Sequence, residues 1–237
     1  MRRTIRSQML GTSNEVTLGN CNNSYMNRIQ LFVGVCCWVV LLMGPPLGQA
    51  QPAEEPSIVS LADMAAFQPA GEGWQIAGSA RADRTTSGHM TVESGTGVLV
   101  YRPDDGDGGN LATEMTHGDL RLELDIMMSK GAEAGIFLQG RYEVQLADSW
   151  GVRNPRASDN GGIIRREGTG LHPHANASRA PGLWQHLVIV FEAPTFDADG
   201  RKTSSAAIEQ VVINGEVVQE AVELRRASTT APMMNEQ

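Results

Sequence analysis

From Leu120 to Met128 apolar and polar side chains alternate without a break. Leu120, Leu122, Leu124, Ile126 and Met128 fall on one side, and Arg121, Glu123, Asp125 and Met127 on the other. A period of two predicts a strand with one buried and one wet face. Gly131 to Gly135 supplies a turn, and a second run follows from Ile136 to Leu146. There Ile136, Leu138, Tyr142, Val144 and Leu146 share one face, opposite Phe137, Gln139, Arg141, Glu143 and Gln145. His186 to Phe191 is apolar on both sides, as a strand covered twice would be. Ile208 to Ile213 leads into Asn214-Gly215 and a further β-rich run from Val217, a strong short-range hairpin signal because both turn positions need positive φ. Shorter strands are expected at Trp74 to Ala77, Met90 to Glu93 and Gly97 to Tyr101, with one short helix from Leu61 to Phe67 capped by Ser60, Asp63 lying at its third position. Short antiparallel strands with almost no helix predict an all-β jelly-roll β-sandwich, with an up-and-down barrel as the second choice.

The amino-terminal pattern differs in kind. Met26-Asn27-Arg28 precedes an apolar run from Ile29 to Met43, which Pro45-Pro46 break before Gly48-Gln49-Ala50. A basic start, a short apolar stretch and a small-x-small exit read as a secretory signal at 26–50, cleaved after Ala50. The run is short for a membrane span, so no stable membrane insertion is expected after cleavage. Residues 1–25 are polar without periodicity and read as a disordered stretch ahead of the true start at Met26. Residues 51–57 read as an exposed lead-in, and 58–237 as the sandwich. Cys21, Cys36 and Cys37 all precede the cleavage point, which leaves the exported part without thiolate or disulfide chemistry. Taking the four Arg and one Glu of residues 1–50 from the chain's 19 basic and 27 acidic residues leaves a net charge of −11. A body so acidic, without a basic cluster, is not a nucleic-acid binder. The expected location is periplasmic or extracellular.

Candidate chemistry concentrates between Arg141 and Trp150. On one strand face Arg141, Glu143 and Gln145 line up a cation, a carboxylate and an amide, about 7 Å between successive members. Saccharide hydroxyls and ring oxygens call for that mix of donors and acceptors. Trp150 would add a stacking surface. The competing reading is an ordinary solvated outer face holding an Arg–Glu pair. His172-Pro173-His174 reads better as an exposed loop than as metal ligands, Asp104-Asp105-Gly106-Asp107-Gly108 as a solvated turn, and Asp197, Asp199 and Gly200 as another turn. No nucleophile elbow, phosphate loop or dinucleotide fingerprint is present.

Several of these segments, in order, resemble the signature region of the 3-keto-disaccharide hydrolase domain family. They are Gly118-Asp119-Leu120, Ala134-Gly135-Ile136-Phe137-Leu138, Gly140 to Gln145, Asp148-Ser149-Trp150-Gly151, Asn176 to Gln185, Phe191-Glu192-Ala193-Pro194, Phe196-Asp197 and Asn214-Gly215, so that the resemblance spans roughly 58–234. It implies a concanavalin A-like, laminarinase-like jelly roll that cleaves glycosidic bonds in disaccharides oxidised at C3. A C3 ketone acidifies the C2 hydrogen. A base removes that proton, the enolate expels the C1 substituent, and water then adds. This route needs a base, a group at the enolate oxygen and a proton for the leaving oxygen. Glu143 is accordingly the expected acid/base residue, with Arg141 and Asp148 shaping the site. Gln145 and Trp150 are expected substrate contacts, Arg166 and His172 lesser ones. No metal ligand set is assigned, although a divalent cation would serve at the enolate oxygen as well as Arg. The expected partner is a small saccharide.

The chain departs from the family pattern in two places. Ala132-Glu133-Ala134-Gly135 stands where Asn and Ser are usual before the Ile-Phe strand. Ile164-Arg165-Arg166-Glu167 stands where aromatics follow Gly161-Gly162-Ile163. Family members also continue past the Ala231-Pro232 position into a final strand pair with a His-containing segment, so the expectation is either a fragment of a longer chain or a marginal sandwich without its final strands, inactive if that His is catalytic. The alternative class is a non-catalytic, lectin-like carbohydrate-binding module, since jelly rolls serve both roles. A surface adhesion or scaffolding domain is a third class.

Overall fold

The computed structural model describes residues 3–7, 56–102, 109–165, 170–228 and 232. They form an all-β sandwich of the jelly-roll type, and no helix occurs among them. The strands are β1 (Arg3–Ser7), β2 (Ser57–Ile58), β3 (Trp74–Ala82), β4 (Met90–Tyr101), β5 (Leu120–Met127), β6 (Glu133–Leu138), β7 (Tyr142–Ala147), β8 (Ile163–Ile164), β9 (Trp184–Glu192), β10 (Thr195–Phe196), β11 (Lys202–Ser204), β12 (Ala206–Ile213) and β13 (Glu216–Leu224). One sheet runs β13-β12-β9-β5-β1-β2 and another β6-β7-β8, while β3 and β4 form a hairpin and β10 and β11 a small ribbon.

Alternation decides which faces meet. In the large sheet Leu120 pairs with Phe191, Leu122 with Ile189 and Leu124 with Leu187, while Ile189 in turn opposes Val211. These inward side chains pack with Leu138, Tyr142, Val144, Leu146 and Ile163 of the three-stranded sheet in one apolar cluster. Tyr142, Val144, Ile163, Leu187, Ile189, Phe191 and Ile208 are at most 1% exposed, each contributing about 1.5–3 kcal/mol by burial. The rings of Tyr142 and Phe191 sit 5.8 Å apart across the layers. A smaller cluster of Ala77, Val98 and Val100 under the β3–β4 hairpin packs on Trp184.

The Asn-Gly hairpin forms as its residues dictate, with φ of 53° at Asn214 and 88° at Gly215, and Ile213 opposite Glu216. Four sequence expectations change. The run from Ile136 to Leu146 is two strands, because Arg141 donates its N–H to Leu138 O (3.0 Å) and folds the chain back at Gln139-Gly140. Both turn residues have positive φ (53° and 66°), the sign pattern of a type I′ turn. The strands expected at Met90 and at Gly97 are one, β4, bulged where Ser94 to Gly97 lie between the pairings Ser79–Glu93 and Ala77–Val98.

The helix expected from Leu61 to Phe67 does not form. Seven residues are too few to hold a helix without packing. Ser60 Oγ accepts from Ala62 N and Asp63 Oδ1 from Ala65 N in local turns, while Phe67 bridges to Thr113 instead. Arg3–Ser7, within the stretch read as unstructured, is a strand parallel to β5, where the open edge of β5 offers backbone partners. The apolar segment at 26–50, the cysteines and the Asp104–Gly108 loop lie outside the described residues.

Candidate functional site

The outer face of the three-stranded sheet carries the polar row. Across it Phe137, Glu143 and Ile164 align in one rung, and Gly135 pairs with Gln145 in the next. On a wet face these side chains would be open to water. Instead Arg141 is 7%, Glu143 6% and Gln145 3% exposed, so a second layer covers them. Part of that cover is the segment after β13. Ser228, 1% exposed, donates its backbone N–H to Arg141 O (2.7 Å) and its hydroxyl to Glu143 Oε2 (3.0 Å). One residue thus binds the Glu143 carboxylate and the Arg141 main chain.

The neighbours of Glu143 leave it little latitude. A Cβ on Gly135 would lie 2.5 Å from Glu143 Oε1 and 3.1 Å from Cδ, so the carboxylate occupies the space that glycine leaves. Gln145 Nε2 donates to Glu133 Oε1 (2.8 Å), while the Gln145 backbone exchanges hydrogen bonds with Gly161 and Gly162 (2.8 Å each). Arg141 differs from both. Its Nη1 is buried with no hydrogen-bond acceptor among the described residues. A buried guanidinium N–H without an acceptor is costly and rare, and rewards any ligand oxygen that reaches it.

The turn that carries Arg141 is braced from below. Gln139 donates its backbone N–H to His117 Nε2 and its side-chain N–H to His117 O (3.2 Å each). Since Nε2 accepts, the ring proton sits on Nδ1 and is donated to Gly118 O (2.8 Å). Burial holds the His117 pKa below the ordinary histidine range, against the opposing pull of the Gly118 carbonyl.

Other expected site residues lie elsewhere. Asp148 does not join Glu143. It stands past the end of β7, where Oδ2 accepts from Gly131 N (3.0 Å) and Oδ1 from Trp150 N (3.4 Å), so its carboxylate braces a loop. Trp150 is 63% exposed. His172 and His174 are exposed on the loop after Leu171. Arg166 lies outside the described residues. Among the described residues no three His, Cys, Asp or Glu side chains come together to hold a metal.

Sequence reasoning missed Ser228, Gly135 and Glu133 as site neighbours. Ser228 is 85 positions from Glu143, with no local pattern to reveal it. It also missed a buried polar lattice beside β7. Ser149 Oγ donates to Asp159 Oδ1 (3.2 Å) and accepts from Asn160 N (2.9 Å), and Asn176 Nδ2 donates to the carbonyls of Ser149 (2.6 Å) and Val152 (2.8 Å). These bonds hold the loop between Ser149 and Asn160 to the rest of the sandwich.

A family model described as the 3-keto-alpha-glucoside-1,2-lyase-like domain matches residues 67–235. The chain belongs to that family. The lyase-like domain therefore takes in every strand from β3 to β13, with the Arg141–Glu143–Ser228 junction inside the match. Among solved structures, the crystal structure of a proposed glycosyl hydrolase from Parabacteroides distasonis is 27% identical, with a TM-score of 0.44, covering 56% of this chain and 62% of that one. No curated protein matches the chain.

Proposed function

We propose that this lyase-like domain cleaves the glycosidic bond of 3-keto-glycosides by elimination followed by hydration, with Glu143 as the base and Arg141 at the enolate oxygen. One observation carries the reading: a buried Glu143 carboxylate bonded by the Ser228 hydroxyl beside a buried Arg141, whose main-chain carbonyl Ser228 also binds and whose Nη1 lacks an acceptor among the described residues. Glu143 takes the C2 proton, and the C–H pair becomes the C2–C3 double bond of an enolate whose charge rests on the C3 oxygen. Arg141 Nη1 donates to that oxygen as the charge develops. Preorganised donors of this kind act strongly where water is excluded. Collapse of the enolate restores the ketone and forms the C1–C2 double bond. The bond from C1 to the leaving oxygen breaks, and that oxygen takes up a proton. Water then adds across C1–C2, its oxygen to C1 and a proton to C2. Glu143, protonated in the first step, supplies one proton and recovers its base form.

Gln145, held by Glu133, stands one rung away and would meet a hydroxyl of the same sugar. Export to the periplasm or beyond is part of the proposal and rests on the apolar run from Ile29 to Met43 and its small-x-small exit. Among the described residues no helix is long and apolar enough to cross a membrane. The binding-only alternative is favoured by Trp150, which offers an indole face to solvent.

The deciding experiment incubates the protein with a 3-keto-disaccharide and, separately, its unoxidised parent, with and without added divalent metal. Release of 3-keto-glucose from the oxidised sugar alone supports the reading. Binding of both sugars without cleavage of either would leave the lectin-like class.

A further inference from the structure

We infer that Ser228 and Gly135 together set the position of the Glu143 carboxylate, Ser228 by pulling on one oxygen and Gly135 by leaving room for the other, so that both are positioning residues for the base. The inference rests on the proposed role of Glu143. Three observations lead to it. The Ser228 hydroxyl donates to Oε2 at 3.0 Å, from a residue that is 1% exposed. The Ser228 backbone is itself fixed, because its N–H is bonded to Arg141 O at 2.7 Å. On the opposite side a Gly135 Cβ would fall 2.5 Å from Oε1, 3.0 Å from Cγ and 3.1 Å from Cδ. Real Cβ atoms do not approach other atoms so closely, and both partners stand on paired strands, Gly135 opposite Gln145 on β6–β7.

The consequence for chemistry is orientation. A base abstracts a proton well only when its lone pair points at the C–H bond, and an error of about 1 Å costs on the order of a hundredfold. A carboxylate on a three-torsion side chain does not hold such an angle unaided. Here it is held from both sides by residues far apart in sequence. Ser228 also joins the base to the cation, since the same residue anchors the turn carrying Arg141. Base and enolate donor are therefore registered against each other through one residue of the segment that follows β13.

Gly135→Ala is the cleaner probe. Its backbone lies outside the left-handed region that only glycine favours, and the nearest atoms an alanine Cβ would meet are those of the Glu143 side chain. Ser228→Ala removes the pull, and Ser228→Thr keeps the hydroxyl. Steady-state kinetics on a 3-keto-disaccharide and crystal structures of the three variants and wild type test the inference. The expected result is a fall in kcat on the order of tenfold to a hundredfold in G135A and S228A, KM within about twofold, recovery of most of the loss in S228T, and a displaced carboxylate in both impaired variants. A role confined to stability would lower the melting temperature and leave the kcat of the folded protein alone.

Wild-type kcat in both G135A and S228A, or an unmoved carboxylate in their crystal structures, would overturn the inference. If S228A fails to fold, G135A alone decides. If wild type leaves the keto-sugar intact, the functional reading fails, while the crystal structures still decide whether Ser228 and Gly135 place the carboxylate.

Discussion

Two strands of this molecule carry nearly the same message on their polar side. β5 presents Arg121, Glu123 and Asp125, while the turn and strand at β7 present Arg141, Glu143 and Gln145. Their inner faces, leucines and isoleucines on one and Tyr142, Val144 and Leu146 on the other, pack against each other in one core. Their outer faces part company. On β5 Arg121 pairs with Glu123 at side-chain exposures of 42% and 17%, and Asp125 pairs with His186 at 2.9 Å. On β7 and the turn before it Glu143 and Arg141 lie more than nine-tenths buried, and among the described residues a guanidinium N–H is left without an acceptor. Where water reaches a charged face, pairing satisfies it at little gain. Where a second layer excludes water, an unfilled donor marks a place for a ligand.

The sharpest way to break this contrast is to make one substitution on both strands. Glu143→Gln should lower turnover of a 3-keto-disaccharide by about 10²–10⁴-fold, the usual contribution of a general base. Glu123→Gln should leave kcat and KM at wild-type values. Circular dichroism melts of the two variants check that both fold. Equal activity in the two would erase the distinction between the strands.

A second comparison measures coupling rather than turnover. Double-mutant cycles on unfolding free energy apply to both pairs. The Ser228–Glu143 contact joins a hydroxyl to a charged acceptor between buried residues, and bonds of that kind contribute about 1.5–3 kcal/mol. The cycle Ser228→Ala with Glu143→Gln should return a coupling in that range in urea melts. A coupling near zero would mean that the second layer lets water into the site.

This contrast also shows how far the sequence could be read. Period-two patterning was enough for the inner faces: Leu120 to Ile126, Tyr142 to Leu146 and Leu187 to Phe191 point where their alternation says, and Asn214-Gly215 turns the chain as its residue types require. The polar faces were not separable in that way, because alternation says which side a residue is on and nothing about what lies over that side. The cover over Glu143 comes from Ser228, reached only after six further strands. The turn at Gln139-Gly140 was hidden for a related reason. Gln is an unusual residue at positive φ, tolerated here because His117 takes its N–H and its side chain binds the His117 carbonyl. Asp148 misled in the opposite sense: a carboxylate close to Glu143 in sequence is spent on the Gly131 and Trp150 amides.

The brace under Arg141 gives a smaller, pH-dependent effect. Burial keeps His117 neutral to lower pH than an ordinary histidine. Between the ordinary value of about 6.5 and the lower folded value, the unfolded chain binds a proton that the folded chain does not, so stability falls as pH falls through that window. The His117 contribution is complete above the unfolded value. His117→Gln should therefore flatten the decline in urea-melt stability between pH 7.5 and 5.5 relative to wild type. An identical decline in the two proteins would show that His117 titrates alike in both states.

The smallest effect is expected at Arg121 and Glu123, which test the other half of the comparison. The two side chains are joined by a hydrogen bond from Arg121 Nη2 to Glu123 Oε1 on the same strand, two residues apart and therefore on one face. Arg121 is 42% exposed on its side chain, so water competes for the pair and salt screens the attraction. Exposed pairs couple by about 0.2–1 kcal/mol. The cycle Arg121→Gln with Glu123→Gln should fall in that range in low salt, shrink further at 1 M salt, and leave turnover untouched. A coupling as large as that of Ser228 with Glu143, and insensitive to salt, would mean that the outer face of β5 is covered as well. The buried polar row on β7 would then no longer set that face apart as the proposed sugar site.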